Sequence, residues 1–374
     1  MTVIVTDAKY RASIAAARSL AKCGHEVVIV QTAKDACGEI PAFKSKYVSR
    51  TVLFDCSVND ADVYCSALAK LASEYEYPTV FPIGAATTAL LAQKKNELTR
   101  VCAFTVSDPA TLTLANDKSR VRLAAESAGI AVPRTYDVGE TPESYPVIVK
   151  PRCGEAFGLK ARERYAVAND FTEYTSAYEK MSKYGGEPIV QELVAGVGIG
   201  VSLLMSRDGR AVSAICHKRV REYPSCGGPS ACCESFFDAV LVSKAEKLLA
   251  SIGFVGIAMV EFKGGRLLEI NPRVWGSFPM TYVSGSSFAE DYVKLSSGEP
   301  FEHMLDNYKS GCRMNFILSD FAACADLICH KRFTEAFAGL GDIILRRAAD
   351  GVYDKDDSAP FWSYLHSKFF KNNT

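Results

Sequence analysis

Side chains suited to binding metal ions and phosphates recur within one short apolar stretch of the chain, VEFKGGRLLEINPR. Glu261 and Glu269 lie on either side of a Gly-Gly pair, and Asn271 and Arg273 follow Glu269 at intervals of two residues. A buried charge is costly without a partner, so these side chains indicate bound counter-charges. Because side chains alternate along a strand, a β-hairpin with a three-residue glycine loop would place both glutamates and Asn271 on one face.

Two carboxylates and an amide oxygen are hard ligands of the kind Mg²⁺ prefers, and the remaining ligands of Mg²⁺ commonly come from phosphate. Arg273 lies further along the same face and could hold a phosphoryl group or a carboxylate through its planar fork. In an isolated surface hairpin the same side chains would simply be solvated charges. Companion motifs have to decide between these interpretations.

Two lysines have the setting of phosphate ligands. Lys150 ends the apolar strand PVIVK and is followed by the glycine-containing loop PRCGEAFG, so its ammonium and the loop amides could meet the same phosphate oxygens. Lys118, in NDKSR at a predicted helix start, would add a second cation. Either lysine alone is also typical of a surface charge. The chain lacks GxxxxGK[ST], and it has no GxGxxG after its first strand, near Thr6, which disfavours a P-loop protein and a nicotinamide-dependent oxidoreductase.

A basic segment, ICHKRVR, precedes the glycine-containing loop SCGGPSACCES. Its functional interpretation is a receptor for an anionic substrate and for developing negative charge, and its simpler interpretation is a basic edge strand. If His217 points toward a bound nucleotide, Arg219 points the same way two residues later. We expect the loop, Ser225 to Ser235, to be mobile without substrate and to close over it.

The surrounding elements indicate an α/β protein. TVIVTD, ASIAAARSLAKCG and HEVVIVQT alternate as strand, helix and strand, which predicts a parallel sheet with crossover helices. A second unit begins near AVPRTY and includes a predicted hairpin that turns at Asp208-Gly209. The glycines at 196, 198 and 200 lead into a strand, so we expect them to allow backbones to approach closely rather than to bind a dinucleotide.

Composition narrows the function classes. Lys and Arg total 43, as do Asp and Glu, so the chain offers no general attraction for nucleic acid or acidic membranes. No apolar run approaches the length of about 20 residues needed to span a bilayer, and the N-terminus does not resemble a signal peptide. We therefore expect a cytoplasmic protein without nucleic-acid or membrane partners.

The order of the motifs resembles that of the ATP-grasp superfamily. NDK, VKP with its glycine loop, VQELV, ICHKR, VEF and EINPR follow one another as they do in biotin carboxylase, carbamoyl phosphate synthase domains and amino-acid ligases of the D-aspartate ligase type. The resemblance implies a preATP-grasp α/β domain at 1–115 and a two-lobed ATP-grasp domain at 116–300 with a lid at about 133–192. A mostly helical extension at 301–374 would follow.

The resemblance also implies a role for each motif residue. Phosphates of ATP would contact Lys118, Lys150 and the lid residues Gly154, Ala156 and Phe157, while adenine would bind the backbone of Glu192, Leu193 and Val194, with His217 beside the nucleotide. Glu261, Glu269 and Asn271 would hold Mg²⁺ or Mn²⁺, and Arg273 and Arg219 would act on the phosphoryl acceptor. The anionic substrate would lie near Lys218, Arg221, Gly227 and Gly228.

The implied activity is that of an ATP- and Mg²⁺-dependent ligase, which activates a small carboxylate as an acyl phosphate and joins it to an amine. The alternative is a nucleotide-binding regulatory module or pseudoenzyme without ligation. Two departures from the family pattern are the Glu155-Ala156-Phe157 segment inside the lid loop and Ile199, where relatives often place a ribose-binding glutamate. Relatives of the preATP type often dimerise, which leaves a homodimer open.

Overall fold

The N-terminal part of the chain is the expected parallel α/β unit. The structure is a computed structural model that describes residues 1–36, 38–152, 157, 159, 163–225, 227–301 and 303–369. Its first sheet has the strand order β3-β2-β1-β4, with every pairing parallel. The elements are β1 (Thr2–Val5), α1 (Arg11–Lys22), β2 (Glu26–Thr32), 3₁₀ turns at Ala33–Asp35 and Pro41–Lys44, β3 (Arg50–Phe54), α2 (Ala61–Ala72), β4 (Thr79–Phe81), α3 (Ala85–Gln93), α4 (Lys95–Leu98) and α5 (Pro109–Asn116).

Burial explains why these segments adopt parallel strands. In β2 only Glu26 is exposed and the other residues are buried, which is the continuous apolar pattern of a strand covered on both faces. Helix α1 buries its alanine-rich segment Ala12–Ala17 against the sheet. The prediction of a parallel α/β unit is confirmed.

A small antiparallel sheet follows, ordered β5-β8-β6-β7. It packs against α7 around a core that includes Val147, Val149, Met181 and Val190. Its elements and the helix that leads into it are α6 (Lys118–Ser127), β5 (Thr135–Tyr136), β6 (Val147–Lys150), β7 (Ala166–Ala168), α7 (Phe171–Ser182) and β8 (Ile189–Glu192).

The largest sheet, within the described ranges, has seven strands in the order β13-β12-β9-β10-β11-β14-β15. The hairpin predicted around Asp208-Gly209 is confirmed as the antiparallel pair β9 and β10. The elements are β9 (Gly198–Met205), β10 (Ala211–Glu222), β11 (Ser230–Phe236), α8 (Ala239–Ser251), β12 (Gly256–Lys263), β13 (Arg266–Asn271), α9 (Pro279–Ser284), α10 (Phe288–Ser297), β14 (Arg313–Asn315), α11 (Ile317–Cys329), α12 (Phe333–Ile344), β15 (Ala349–Asp350) and α13 (Ala359–Phe369).

The end of the chain returns to the N-terminal unit through a buried ion pair. Arg18 of α1 donates from Nε to Asp357 Oδ2 at 2.9 Å and from Nη2 to the Asp357 carbonyl at 2.7 Å. The carboxylate also accepts bonds from the Ser45 hydroxyl at 2.7 Å and the Lys46 amide at 2.9 Å. The two buried charges are therefore paired with each other, and both oxygens of the carboxylate accept hydrogen bonds. No helix in the described part of the chain is long and apolar enough to cross a membrane.

Candidate functional site

The hairpin of β12 and β13 brings the two glutamates together, but not through the loop that the sequence predicts. Gly264 and Gly265 form a two-residue turn with φ of 53° and 76°, which glycine adopts without strain. The register then shifts between Glu261 and Phe262, so that Leu268 is an extra residue and Glu261 pairs directly with Glu269. The predicted three-residue loop is wrong, and the bulge at Leu268 restores the parity that puts both carboxylates on one face.

Asn271 lies beside both carboxylates, as predicted. Its Nδ2 is 3.2 Å from Oε1 of Glu261 and 3.4 Å from Oε1 of Glu269. Its Oδ1 accepts a bond from Arg273 Nη2 at 3.3 Å, while Nη1 of Arg273 donates to the Val274 carbonyl at 3.0 Å. The structure therefore assembles this predicted constellation at one place in the fold.

The two carboxylates differ in their electrostatic surroundings. Burial by itself would raise the pKa of Glu269, but the charges of Lys118 and Lys150 outweigh burial and lower it to about 2. Burial raises the pKa of Glu261 above its ordinary value, and the negative charge of Glu269 adds to that rise, against the opposing effect of Arg219. Glu269 is therefore held firmly as an anion, whereas ionised Glu261 depends on nearby positive charge.

Lys118 and Lys150 both lie beside the two glutamates because the Asp117 carboxylate links the start of α6 to the end of β6. Asp117 caps α6 by accepting bonds from the amides of Ser119 and Arg120, and it also pairs with Arg152, two residues beyond the end of β6. Lys118 is thereby held at the helix start, with Nζ 3.2 Å from Oε2 of Glu269. Lys150 is buried, and desolvation together with the charge of Lys118 lowers its pKa to about 8.

His217 and Arg219 extend from β10 toward the cluster over two glycines of β9. A Cβ on Gly200 would lie 2.3 Å from Cε1 of His217, and one on Gly198 would lie 3.0 Å from Cδ of Arg219. These two glycines therefore make room for side chains, which corrects the expectation of close backbone approach for them. A Cβ on Gly196 would instead lie 3.2 Å from the backbone of Gly264, so the expectation is confirmed there. His217 is buried, bonds Ser277 Oγ through Nε2 at 2.9 Å, and has its pKa lowered to about 3 by burial and by Arg219, so it is neutral at ordinary pH.

Arg219 contacts both Glu261 and the loop that connects β10 to β11. Its Nη2 is 2.6 Å from Oε2 of Glu261, and its Nη1 lies 3.3 Å from Oε1 of Glu222 and 3.4 Å from the Gly228 carbonyl. Burial opposes its charge, but Glu261 and Glu222 outweigh burial and raise its pKa. The guanidinium therefore stays charged beside the two glutamates.

Arg221 does not reach the cleft, which corrects its assignment to substrate binding. A register shift at Val220 interrupts the alternation, so that Arg219 pairs with Cys233 and Arg221 pairs with Cys232. Arg221 is consequently bound by the Asp320 carboxylate at 2.6 and 2.9 Å and by Asp342 at 3.0 Å.

Lys218 also lies away from the cleft. It alternates with His217 and Arg219 along β10, and its Nζ pairs with Glu234 at 2.6 Å. Its assignment to substrate binding is therefore wrong as well, because strand alternation carries its side chain to the other face of the sheet.

The predicted adenine segment follows β8. Glu192, Leu193 and Val194 line the cleft, and the amide of Leu193 donates to the Pro146 carbonyl at 3.3 Å. The carboxylate of Glu192 accepts a bond from the Arg134 amide at 2.7 Å and lies 3.2 Å from Arg266 Nη1. These contacts fix the strand end at the edge of the cleft.

The predicted lid residues are only partly described. Gly154 and Ala156 lie outside the described residues. Phe157 packs edge-on against Tyr184 at 6.0 Å between ring centroids and is not among the described residues that line the cleft. Its contact with phosphate stays a prediction. Gly227 and Gly228 do line the cleft.

The described residues enclose a cleft of about 890 Å³ where the three sheets meet, a size typical of small-molecule sites. Several of the buried polar atoms that find no hydrogen-bond partner among the described residues belong to side chains lining it: Nη1 of Arg11, Oε1 of Gln191, Nδ1 of His217 and Nε of Arg219. Because buried polar groups are normally paired, their concentration here indicates a polar ligand.

Sequence reasoning missed several residues of this cleft. Glu222 reaches it only because of the bulge at Val220, and no signal in the sequence marks that bulge. Ser277 could have been sought as the partner that a buried histidine requires, although its position could not be predicted. Further cleft residues that the motifs did not indicate are Arg11, Ala85, Ala86, Arg164, Tyr165, Met259, Leu268 and Phe316.

The three sheets, the helix-capped lysine and the carboxylate hairpin together define an ATP-grasp architecture. Residues 115–277 match the family model of the ATP-grasp domain. These residues therefore form an ATP-grasp domain, and the resemblance of the motifs within them to that superfamily is confirmed.

Individual relatives agree with this assignment. The chain is 30% identical over 106 residues to the vancomycin B-type resistance protein VanB of Enterococcus faecalis, a match that covers 26% of this chain and 29% of VanB. Its fold is similar to biotin carboxylase from Campylobacter jejuni, solved as a β,γ-ATP complex, with a TM-score of 0.61, 17% identity and coverage of 83% of this chain and 74% of that one. For an L-amino acid ligase from Bacillus licheniformis the TM-score is 0.57 at 14% identity, covering 80% and 75%.

Proposed function

We propose that the protein is an ATP- and Mg²⁺-dependent ligase that activates a small carboxylate as an acyl phosphate and joins it to an amine. The observation that carries this proposal is the pairing of Glu261 with Glu269, with Asn271 beside them and Lys118 facing them. Two adjacent carboxylates repel each other unless cations lie between or beside them. VanB, biotin carboxylase and the L-amino acid ligase support the class of reaction by their similarity.

The donor set fits a magnesium ion. Carboxylate and amide oxygens are the ligands that Mg²⁺ takes alongside phosphate, and Glu261, Glu269 and Asn271 offer them. Asn271 now presents its Nδ2 to the glutamates, so binding a cation there would require its amide to rotate and present Oδ1. The bound ion would neutralise phosphate charge during transfer.

The remaining side chains would position the reactants. Lys118 and Lys150 would bind the phosphates, and the segment from Glu192 to Val194 would bind adenine. Attack of a substrate carboxylate on the γ-phosphate would form the acyl phosphate and release ADP, and the amine would then displace phosphate. Arg219 and Arg273 would hold the anionic groups that meet in this step, since such catalysis is mostly positioning and charge neutralisation.

The test is phosphate and ADP release from ATP and Mg²⁺ with a panel of L-amino acids as both carboxylate and amine. Wild-type protein is expected to release phosphate with at least one pair, and Glu269→Gln is expected to release almost none. Glu234→Gln is the matched control, because Glu234 is a paired glutamate of the same sheet that faces away from the cleft. Tight MgADP binding without phosphate release for any pair would instead favour a regulatory module. Cytoplasmic location and a homodimer remain predictions.

A further inference from the structure

Arg11 brings a positive charge into the cleft from the N-terminal unit. It is the first residue of α1 and lines the cleft. Its Nη1 is buried and makes no hydrogen bond, and among the described residues no carboxylate lies within ion-pair distance of it. A buried guanidinium without a counter-charge is costly, so an anionic ligand is expected beside it.

The surroundings of Arg11 hold it in place without neutralising it. Its Cζ lies 3.5 Å from the centroid of the Phe316 ring, a stacked contact that fixes the plane of the guanidinium. The nearby acid, Asp350, is already engaged, because it accepts hydrogen bonds from the amides of Ile317, Val352 and Tyr353 at 2.9, 2.8 and 2.7 Å. The planar donor fork of Arg11 therefore remains available to a ligand.

The position of Arg11 is the crevice of an open parallel sheet. From β1 the chain passes through α1 to β2 on one side, while β4 lies on the other side of β1. Ligands of such sheets bind at the carboxyl ends of the strands where the strand order reverses. Arg11 follows β1 at this end, and the cleft-lining residues Ala85 and Ala86 follow β4 at the same end.

The start of α3 adds a second feature suited to an anion. Asp7 accepts bonds from the Gly84 amide at 2.9 Å and the Thr87 hydroxyl at 2.9 Å, which fixes the first turn. The helix has no side-chain cap, and Ala85 and Ala86 of its first turn line the cleft. The positive end of the helix dipole therefore lies there, partly offset by the Asp7 carboxylate. With Arg11, this first turn offers charge and donors to one small anion.

We propose that Arg11 and the first turn of α3 bind the carboxylate of the amine substrate, which makes that substrate an amino acid or a compound with the same pair of groups. This inference rests on the proposed ligase function. The reacting carboxylate must meet phosphate near the cation-binding hairpin and Arg219, whereas Arg11 belongs to a different sheet, so it serves a second anion. One guanidinium with helix amides suits a single negative charge and leaves the amine free to react.

The experiment compares L-amino acids with the corresponding amino-acid amides as amine substrates for wild type, Arg11→Gln and Arg11→Lys. Wild type is expected to prefer the acids, and Arg11→Gln to raise KM for the acids on the order of 10²-fold while the amides react as before. Arg11→Lys should fall between them, since it keeps charge but loses the fork. MgADP affinity should not change. Arg50→Gln, which breaks an exposed ion pair of the same unit, is the matched control.

Unchanged KM for the acids in Arg11→Gln, or equal use of acids and amides by wild type, overturns the proposal. If Arg11→Gln does not fold, the test is the preference of Arg11→Lys for amino acids over their amides. A preference weaker than that of wild type supports the proposal, and an equal preference overturns it. If wild type turns over no amino acid, the ligase function is what fails, and equilibrium binding of L-amino acids in the presence of MgADP still tests Arg11. Binding that Arg11→Gln loses supports the site, and equal or absent binding refutes it.

Discussion

Replacing each clustered glutamate by glutamine should affect stability differently, although both replacements should impair nucleotide chemistry. The pKa of Glu269 falls from 4.5 to about 2 in the folded protein, and each pH unit corresponds to about 1.4 kcal/mol. Ionised Glu269 therefore contributes on the order of 3 kcal/mol to folding at neutral pH. The pKa of Glu261 is instead raised by burial despite the attraction of Arg219, so the cost of burying its charge offsets this ion pair and leaves little net stabilisation without a bound cation.

The assay is thermal unfolding in EDTA, without nucleotide. For a chain of 374 residues we expect Glu269→Gln to lower Tm by roughly 4 °C, while Glu261→Gln shifts it little. Because the folded-state pKa of Glu269 is depressed, its contribution is present above about pH 4.5 and is lost as pH falls toward 2. The gap between wild type and Glu269→Gln should narrow over that interval. Equal stability of the two variants in EDTA would refute this account of the cluster.

The other predictions concern Lys150, Arg219 and the glycine beneath His217, Gly200. Lys150 has a pKa of about 8, and phosphate binds its ammonium form, so the MgADP affinity of wild type measured by calorimetry should fall as pH rises above 8. A Lys150→Met protein should bind MgADP weakly at every pH. If the affinity of wild type does not change with pH over this range, Lys150 is not a phosphate ligand. Gly200→Ala would place a Cβ 2.3 Å from His217, so it should lose on the order of 1–3 kcal/mol in thermal unfolding. The control is Gly276→Ala, whose Cβ would meet nothing within 4 Å. Arg219→Ala should lower the ligation rate on the order of 10²- to 10³-fold with MgADP still bound; loss of nucleotide affinity with ligation intact would place the acceptor site elsewhere.

The sequence predicted those parts of the site that depend on the pattern of residues within a single segment. Apolar alternation placed the strands, and the spacing of Glu261, Glu269 and Asn271 indicated one constellation. The prediction failed wherever a single extra residue changed strand parity. The bulge at Leu268 preserved the glutamate pair despite a turn shorter than expected, whereas the register shift at Val220 carried Arg221 away from the cleft.

Long-range packing was the other part that the sequence could not indicate. Arg11 lies more than 200 residues before the glutamate hairpin, and nothing in its local sequence distinguishes it from a surface charge. Its significance depends on Phe316 and on the absence of a nearby partner among the described residues. Such contacts depend on how the sheets pack against one another. The hydrophobic periodicity of one segment carries no information about that packing.

The buried pair of Arg18 and Asp357 has a consequence for the order in which this protein folds during synthesis. The two residues are 339 positions apart, so at ribosomal rates of about 5–20 residues per second Arg18 waits roughly 20–70 s for its partner to be made. Until then the N-terminal sheet would have to bury an unmatched charge or leave α1 undocked. The α/β unit that holds Arg18 is therefore expected to reach its full stability only after Asp357 has been made.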